Sequence, residues 1–259
     1  MHNRINELFA TKKNNILSIY FTAGYPQLHD TLRIIKTLEK SGVDFIEIGM
    51  PFSDPLADGP VIQASSMDAI NNGMSIPVLF EQLASIRSEV KIPLILMGYI
   101  NPVMQYGIEK FAKKASEIGI DGVIIPDLPL LEYVEEYKSI FESNNLRNIF
   151  LITPQTSTER IRLIDSHSHG FIYMVASASI TGTKESNTDE QTAYFERIKK
   201  MNLKNPCMIG FGISDRKSFT NACNYASGAI IGTAFIKAIS TTSDLEAQTS
   251  DFVKSLINV

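Results

Sequence analysis

The chain has no tryptophan, two cysteines and four histidines in 259 residues, and it carries neither a run of basic residues nor a long apolar stretch. Each scarcity removes a class of function. Cys207 and Cys223 stand apart with no CxxC pair, so a thiolate zinc or iron–sulfur centre has no framework. Both are expected as reduced core residues, which fits a cytoplasmic protein. The histidines are His2, His29, His167 and His169, none at the C-terminal end of a strand-like run; the expectation is a protein without a metal site. No segment approaches the roughly 20 apolar residues of a membrane span. The opening "MHNRINELFATKKNN" is polar and amphipathic rather than a signal peptide. With a net charge of −4, the footprint of a nucleic-acid binder is missing as well. A soluble cytoplasmic protein with no nucleic-acid or membrane partner is expected.

What is present is a rhythm. Short apolar, β-branched runs recur at 16–23, 45–50, 92–99, 122–127, 148–153, 171–176, 207–212 and 228–233. Nearly continuous hydrophobicity suits parallel strands covered on both faces. Between them lie amphipathic stretches such as "LHDTLRIIKTLEKSG", with Leu32, Ile35 and Leu38 at helical spacing and Gly42 at a helix stop. Eight strands alternating with helices predict a single (β/α)₈ barrel domain over 1–259, an α/β fold of typical length for this architecture. A doubly wound open sheet is the rival, but no GxGxxG or GxxxxGK[ST] follows the first strand. An extra helix near residues 2–11 is predicted to plug the closed end. Two long connections, 51–62 and 177–190, follow strands two and six and belong at the catalytic face.

In strand two, Phe45, Glu47 and Gly49 alternate with Ile46, Ile48 and Met50. The isoleucines suit the helix side, so Glu47 is predicted to point into the barrel near its C-terminal end. None of the eight runs contains a lysine or arginine to pair with it. A buried unpaired carboxyl raises its pKa, which suits general acid–base work. The following loop brings Asp54, in a Ser-Asp-Pro turn context, and Asp58, which reads equally well as a catalyst or as the N-cap of a helix beginning near Val61. Late in the chain, Gly212 closes strand seven and Gly232-Thr233 closes strand eight ahead of a short helix "AFIKAI". Barrels bind phosphate with these two loops, so a phosphorylated ligand is expected, with Thr181-Gly182 joining from the loop after strand six.

Together these residues resemble the tryptophan synthase alpha chain family, across essentially the whole sequence. "IEIGMPFSDPLADGPVIQ" is the most specific signature, and "YFTAGYP", "NPV", "DLP", "TPQTS", "ITG", "GFGI" and "GAIIGTAFIK" follow in the family's order. The resemblance implies a lyase of tryptophan biosynthesis that cleaves indole-3-glycerol phosphate to indole and glyceraldehyde 3-phosphate in a retro-aldol sense. It implies Glu47 and Asp58 as catalytic residues, and Gly182, Gly212, Gly232 and Thr233 as phosphate contacts. It also implies Tyr20, Tyr173, Thr181 and Phe211 at the indole pocket or its loop. Ser179 departs from the glycine usual two residues before the family's Thr-Gly. No cofactor is expected in this chain; the implied partner is a beta chain carrying pyridoxal phosphate, in an assembly of two alpha and two beta chains that passes indole directly between sites. Asp54 is the candidate contact to that partner.

Aldol cleavage needs an electron sink, and the sequence offers neither an in-barrel lysine nor gathered histidines. The indole ring can serve, because protonation at C3 creates an indoleninium that accepts the electrons of the breaking bond. Two carboxylates in different environments then suffice. A flavin oxidoreductase and a phospho-ligand binding module remain the rival readings: the first predicts a yellow protein, the second binding without turnover.

Overall fold

The computed structural model describes residues 3–55, 57–176 and 188–257. Eight parallel strands close on themselves in sequence order: β1 (Ile16–Thr22), β2 (Phe45–Gly49), β3 (Leu94–Met97), β4 (Gly122–Ile124), β5 (Arg147–Ile152), β6 (Ile172–Val175), β7 (Cys207–Gly210) and β8 (Gly228–Ile231). All eight fall at the predicted runs. The core divides into two shells because alternate strand residues face opposite ways. Ile16, Tyr20, Phe45, Ile95, Ile124, Ile149, Tyr173, Met208 and Ile230 fill the interior. Leu17, Ile19, Phe21, Ile46 and Ile48 face the helices. The β1–β2 register sets Tyr20 beside Glu47, and the β2–β3 register sets Glu47 beside Ile95.

The extra N-terminal helix, α1 (Arg4–Thr11), is present where the sequence placed it. Asn3 caps it by accepting from the Ile5 N–H, while its Nδ2 donates to the Asp121 and Asn145 carbonyls, each at 2.9 Å. Ile5 and Phe9, four residues apart and so on one helix face, enter the barrel floor. There the Phe9 and Phe171 rings lie 5.5 Å apart, and Phe171 lies 5.4 Å from Phe45. This closes the end of the barrel away from the strand C-termini.

Helix α2 (Asp30–Lys40) buries Ile34, Ile35 and Leu38 and ends before Gly42. Helix α3 (Pro60–Asn71) opens with Pro60, so the connection after β2 ends at Gly59, three residues short of the expected 62. Proline suits a first helical turn, where its missing N–H would have no partner. The cysteines are a correction: Cys207 and Cys223 are half-buried rather than core, because they border a depression at the N-terminal ends of β7 and β8. No described helix is long and apolar enough to cross a membrane.

Candidate active site

At the C-terminal mouth of the barrel lies a cavity of about 370 Å³. Of the residues singled out in the sequence, Tyr20, Asp58, Tyr173, Phe211, Gly212, Gly232 and Thr233 all line it. Ile62, Met97 and Ile230 supply an apolar wall, and Ser214 and Lys237 stand at the side of Gly212 and Thr233. One end is therefore apolar and aromatic, and the other is made of backbone, hydroxyls and an ammonium. Thr181 and Gly182, like Ser179, lie outside the described residues.

Glu47 does not line the cavity. It is 0% exposed, and neither carboxyl oxygen has a hydrogen-bond partner among the described residues. Burial alone pushes its pKa up to about 8, as expected when nothing compensates the charged form. Tyr20 and Tyr173 line the cavity and sense Glu47: burial first holds both phenols protonated, helped by the charges of Asp58 and then Glu47 at Tyr20, and of Glu47 and then Asp58 at Tyr173. Both rings are seated over glycines. A Cβ on Gly49 would overlap the Tyr20 hydroxyl, and one on Gly210 would overlap that of Tyr173. A Cβ on Gly232 would come within 3.0 Å of Tyr20 Cδ1.

Asp58 is 8% exposed, and burial pushes its pKa up to about 6, opposed by a hydrogen bond from Tyr99. Its cap reading is overturned: the residue in the cap position of α3 is Gly59, and no side chain caps that helix. The Asp58 carboxylate instead accepts from the Tyr99 hydroxyl at 3.1 Å. The same hydroxyl accepts from the Ala57 N–H at 2.9 Å. The Asp58 N–H donates to the Pro55 carbonyl at 3.0 Å, and its own carbonyl accepts from Gln63 Nε2 at 2.8 Å. Asp54, on the same loop, is exposed and accepts a hydrogen bond from the Ser53 hydroxyl. It takes no part in the cavity wall.

Phe211 and Gly212 both have positive φ, +68° and +75°. That conformation strains a side-chain-bearing residue, yet it turns the Phe211 ring edge-on to Tyr173 at a centroid separation of 6.0 Å. It also leaves the α-carbon of Gly212 facing open space. Sequence reasoning missed Tyr99, Lys237, Gly49 and Gly210. The signal for Tyr99 was available as a polar ring just past strand three, in "LMGY", where barrel sites are built. Lys237 sits at the fifth position of the short helix Thr233–Ile239, one turn from Thr233. Among the described residues no group of three or more histidines, cysteines and carboxylates could hold a metal ion.

The family model described as tryptophan synthase alpha chain matches residues 6–258. The tryptophan synthase alpha chain of Flavobacterium johnsoniae is 63% identical over 238 residues, covering 92% of this chain and 94% of the relative. That of Parabacteroides distasonis is 53% identical over 255 residues, covering 98% of each. Among solved structures, tryptophan synthase subunit alpha from Legionella pneumophila superposes with a TM-score of 0.89 at 32% identity, over 99% of this chain and 97% of that one. A chain of the tryptophan synthase complex from Pyrococcus furiosus gives 0.86 at 30%, over 96% and 100%.

Proposed function

The chain belongs to the tryptophan synthase alpha chain family and has that family's activity, cleavage of indole-3-glycerol phosphate to indole and glyceraldehyde 3-phosphate; we propose that Glu47 and Asp58 are the acid–base pair that performs it. The observation that carries this reading is a carboxyl wholly removed from water, without a hydrogen bond, beside a cavity that ends in glycine backbone. Two carboxyl groups in unlike surroundings divide acid and base roles between them. With its pKa near 8, Glu47 holds its proton at neutral pH and gives it to indole C3. The resulting carboxylate then takes the proton of the glycerol hydroxyl while the carbon–carbon bond breaks and its electrons return to the ring. Asp58, with its pKa near 6, is ionised and accepts the indole N1–H, stabilising the cationic ring.

Because Glu47 is fully buried and does not line the cavity, this mechanism requires its side chain to swing toward the cavity when substrate binds. Gly212, Gly232 and Thr233 would present backbone N–H groups and a hydroxyl to the phosphate, with Gly182 and Thr181 joining from the loop after β6. Tyr20, Tyr173 and Phe211 would sandwich the indole.

The product indole is apolar and diffuses freely, which favours hand-over to a second site. The partner we propose is a beta chain carrying pyridoxal phosphate, in an assembly of two alpha and two beta chains in the cytoplasm; the solved complex from Pyrococcus furiosus supports such a pairing. The β2–α3 loop, with Asp54 exposed on it, is the proposed docking surface. Glu47→Gln and Asp58→Asn test the chemistry. Each should lose at least the 10²–10⁴-fold typical of acid–base residues in indole release, while binding of glycerol phosphate stays near wild type. Unchanged turnover in either variant would remove that residue from the mechanism.

A further inference from the structure

Tyr99 lies two residues beyond β3, and its hydroxyl makes two hydrogen bonds to consecutive loop residues, from the Ala57 N–H and to Asp58 Oδ2. We propose that Tyr99 is a positioning residue: it bridges the backbone of the β2–α3 loop to the Asp58 carboxylate and so fixes which carboxylate oxygen faces the substrate. The inference rests on reading Asp58 as the acceptor for indole N1–H and adds to it the group that aims the acceptor.

A phenol has one proton to give. The Ala57 N–H occupies one lone pair, and the ring is held against Phe52 at 5.3 Å between centroids. The remaining freedom of the O–H is taken up by Asp58 Oδ2, and among the described residues Oδ1 keeps no side-chain donor, which leaves it for a ligand. The main chain of Asp58 is already held on both sides, by Pro55 and Gln63. What main-chain bonds leave undecided is the side-chain rotation, and that is what Tyr99 sets. Among the described residues, Tyr20 on β1 and Tyr173 on β6 also feel the charge of this carboxylate, and Lys237 on the helix Thr233–Ile239 lines the same cavity. Among the described residues only Tyr99 donates a side-chain hydrogen bond to it. A donor to the charged form opposes the effect of burial, so the same contact keeps Asp58 ionised at neutral pH.

Tyr99→Phe removes both bonds and keeps the ring against Phe52. Indole release from indole-3-glycerol phosphate would be measured against pH for wild type, Tyr99→Phe, Asp58→Asn and the double variant, with thermal unfolding as the check on folding. The expected result is a roughly tenfold fall in kcat for Tyr99→Phe, the size of one hydrogen bond lost, with glycerol phosphate affinity unchanged. The acid limb of its pH profile should move to higher pH, because Asp58 loses the donor that favours its charged form. The double variant should be no worse than Asp58→Asn alone, as for two residues acting as one unit. A purely structural tyrosine would lower the unfolding temperature and leave the acid limb in place, which would overturn the proposal. So would a Tyr99→Phe defect that adds in full to that of Asp58→Asn. Wild-type turnover in Asp58→Asn is a different failure, since it would remove Asp58 from the chemistry and the aiming role with it.

Discussion

A carboxyl with no partner inside a barrel favours its protonated form, so the folded chain holds a proton at Glu47 over a pH range in which the unfolded chain has lost it. The range runs from the ordinary value of 4.5 to about 8. Across it the native state binds more protons than the unfolded state, so this residue's contribution to stability falls as pH rises and levels off above about 8. A tenfold change in proton affinity corresponds to about 1.36 kcal/mol, so the full effect is on the order of a few kcal/mol. Glu47→Gln is neutral at every pH and should escape the loss. Urea midpoints at pH 4.5 and pH 8 test this: the variant should gain on wild type at pH 8, and the gain should shrink toward pH 4.5. An equal gain at both would mean that the side chain's shape, not its charge, sets the difference. Glu47 was legible in the sequence because strand alternation is local and needs no knowledge of neighbours. Whether Asp58 caps α3 was not, since a cap and a catalyst share the same residue type next to a helix start.

At the scale of elements, the two loops that follow β7 and β8 converge because those strands are hydrogen-bonded neighbours, with Met208, Ile209 and Gly210 beside Gly228, Ala229 and Ile230. Gly232 then opens the helix Thr233–Ile239 against the Tyr20 ring. Gly232→Asp would crowd Tyr20 and bring a negative charge to the end of the cavity assigned to phosphate. Calorimetry with inorganic phosphate or glycerol phosphate should show weaker binding; equal affinity would place the phosphate elsewhere. Strand positions were readable to within three residues at either end, since continuous apolar runs mark strands buried on both faces. The start of α3 fell one residue before the expected Val61, while the end of the connection before it was set too late: a Gly-Pro pair signals a turn and a first helical turn alike.

For the whole molecule, the cavity mouth and the β2–α3 loop share one face, so a partner docked on the loop, as proposed, would act on Asp58 through a short lever. Asp54 lies outside the cavity wall, with its carboxylate exposed beside Ser53. Its removal should therefore spare the chemistry of the isolated chain. If partner binding shifts the loop toward its productive arrangement, Asp54→Ala should release indole at the wild-type rate alone. It should then gain less from saturating beta chain. An equal boost at equal affinity would separate Asp54 from the coupling.

The sequence by itself determined the eight strands, the plug helix, the inward face of Glu47 and the late glycines, all of which follow from short-range periodicity and from the backbone freedom of particular residue types. Only the tertiary structure decided that Tyr20 and Tyr173 line the cavity while Glu47 does not, that Tyr99 rather than a helix terminus holds Asp58, and that Asp54 stays outside the cavity. These depend on which strands close next to one another and on where a loop returns. Contacts between residues tens of positions apart leave no periodic trace in the chain that makes them.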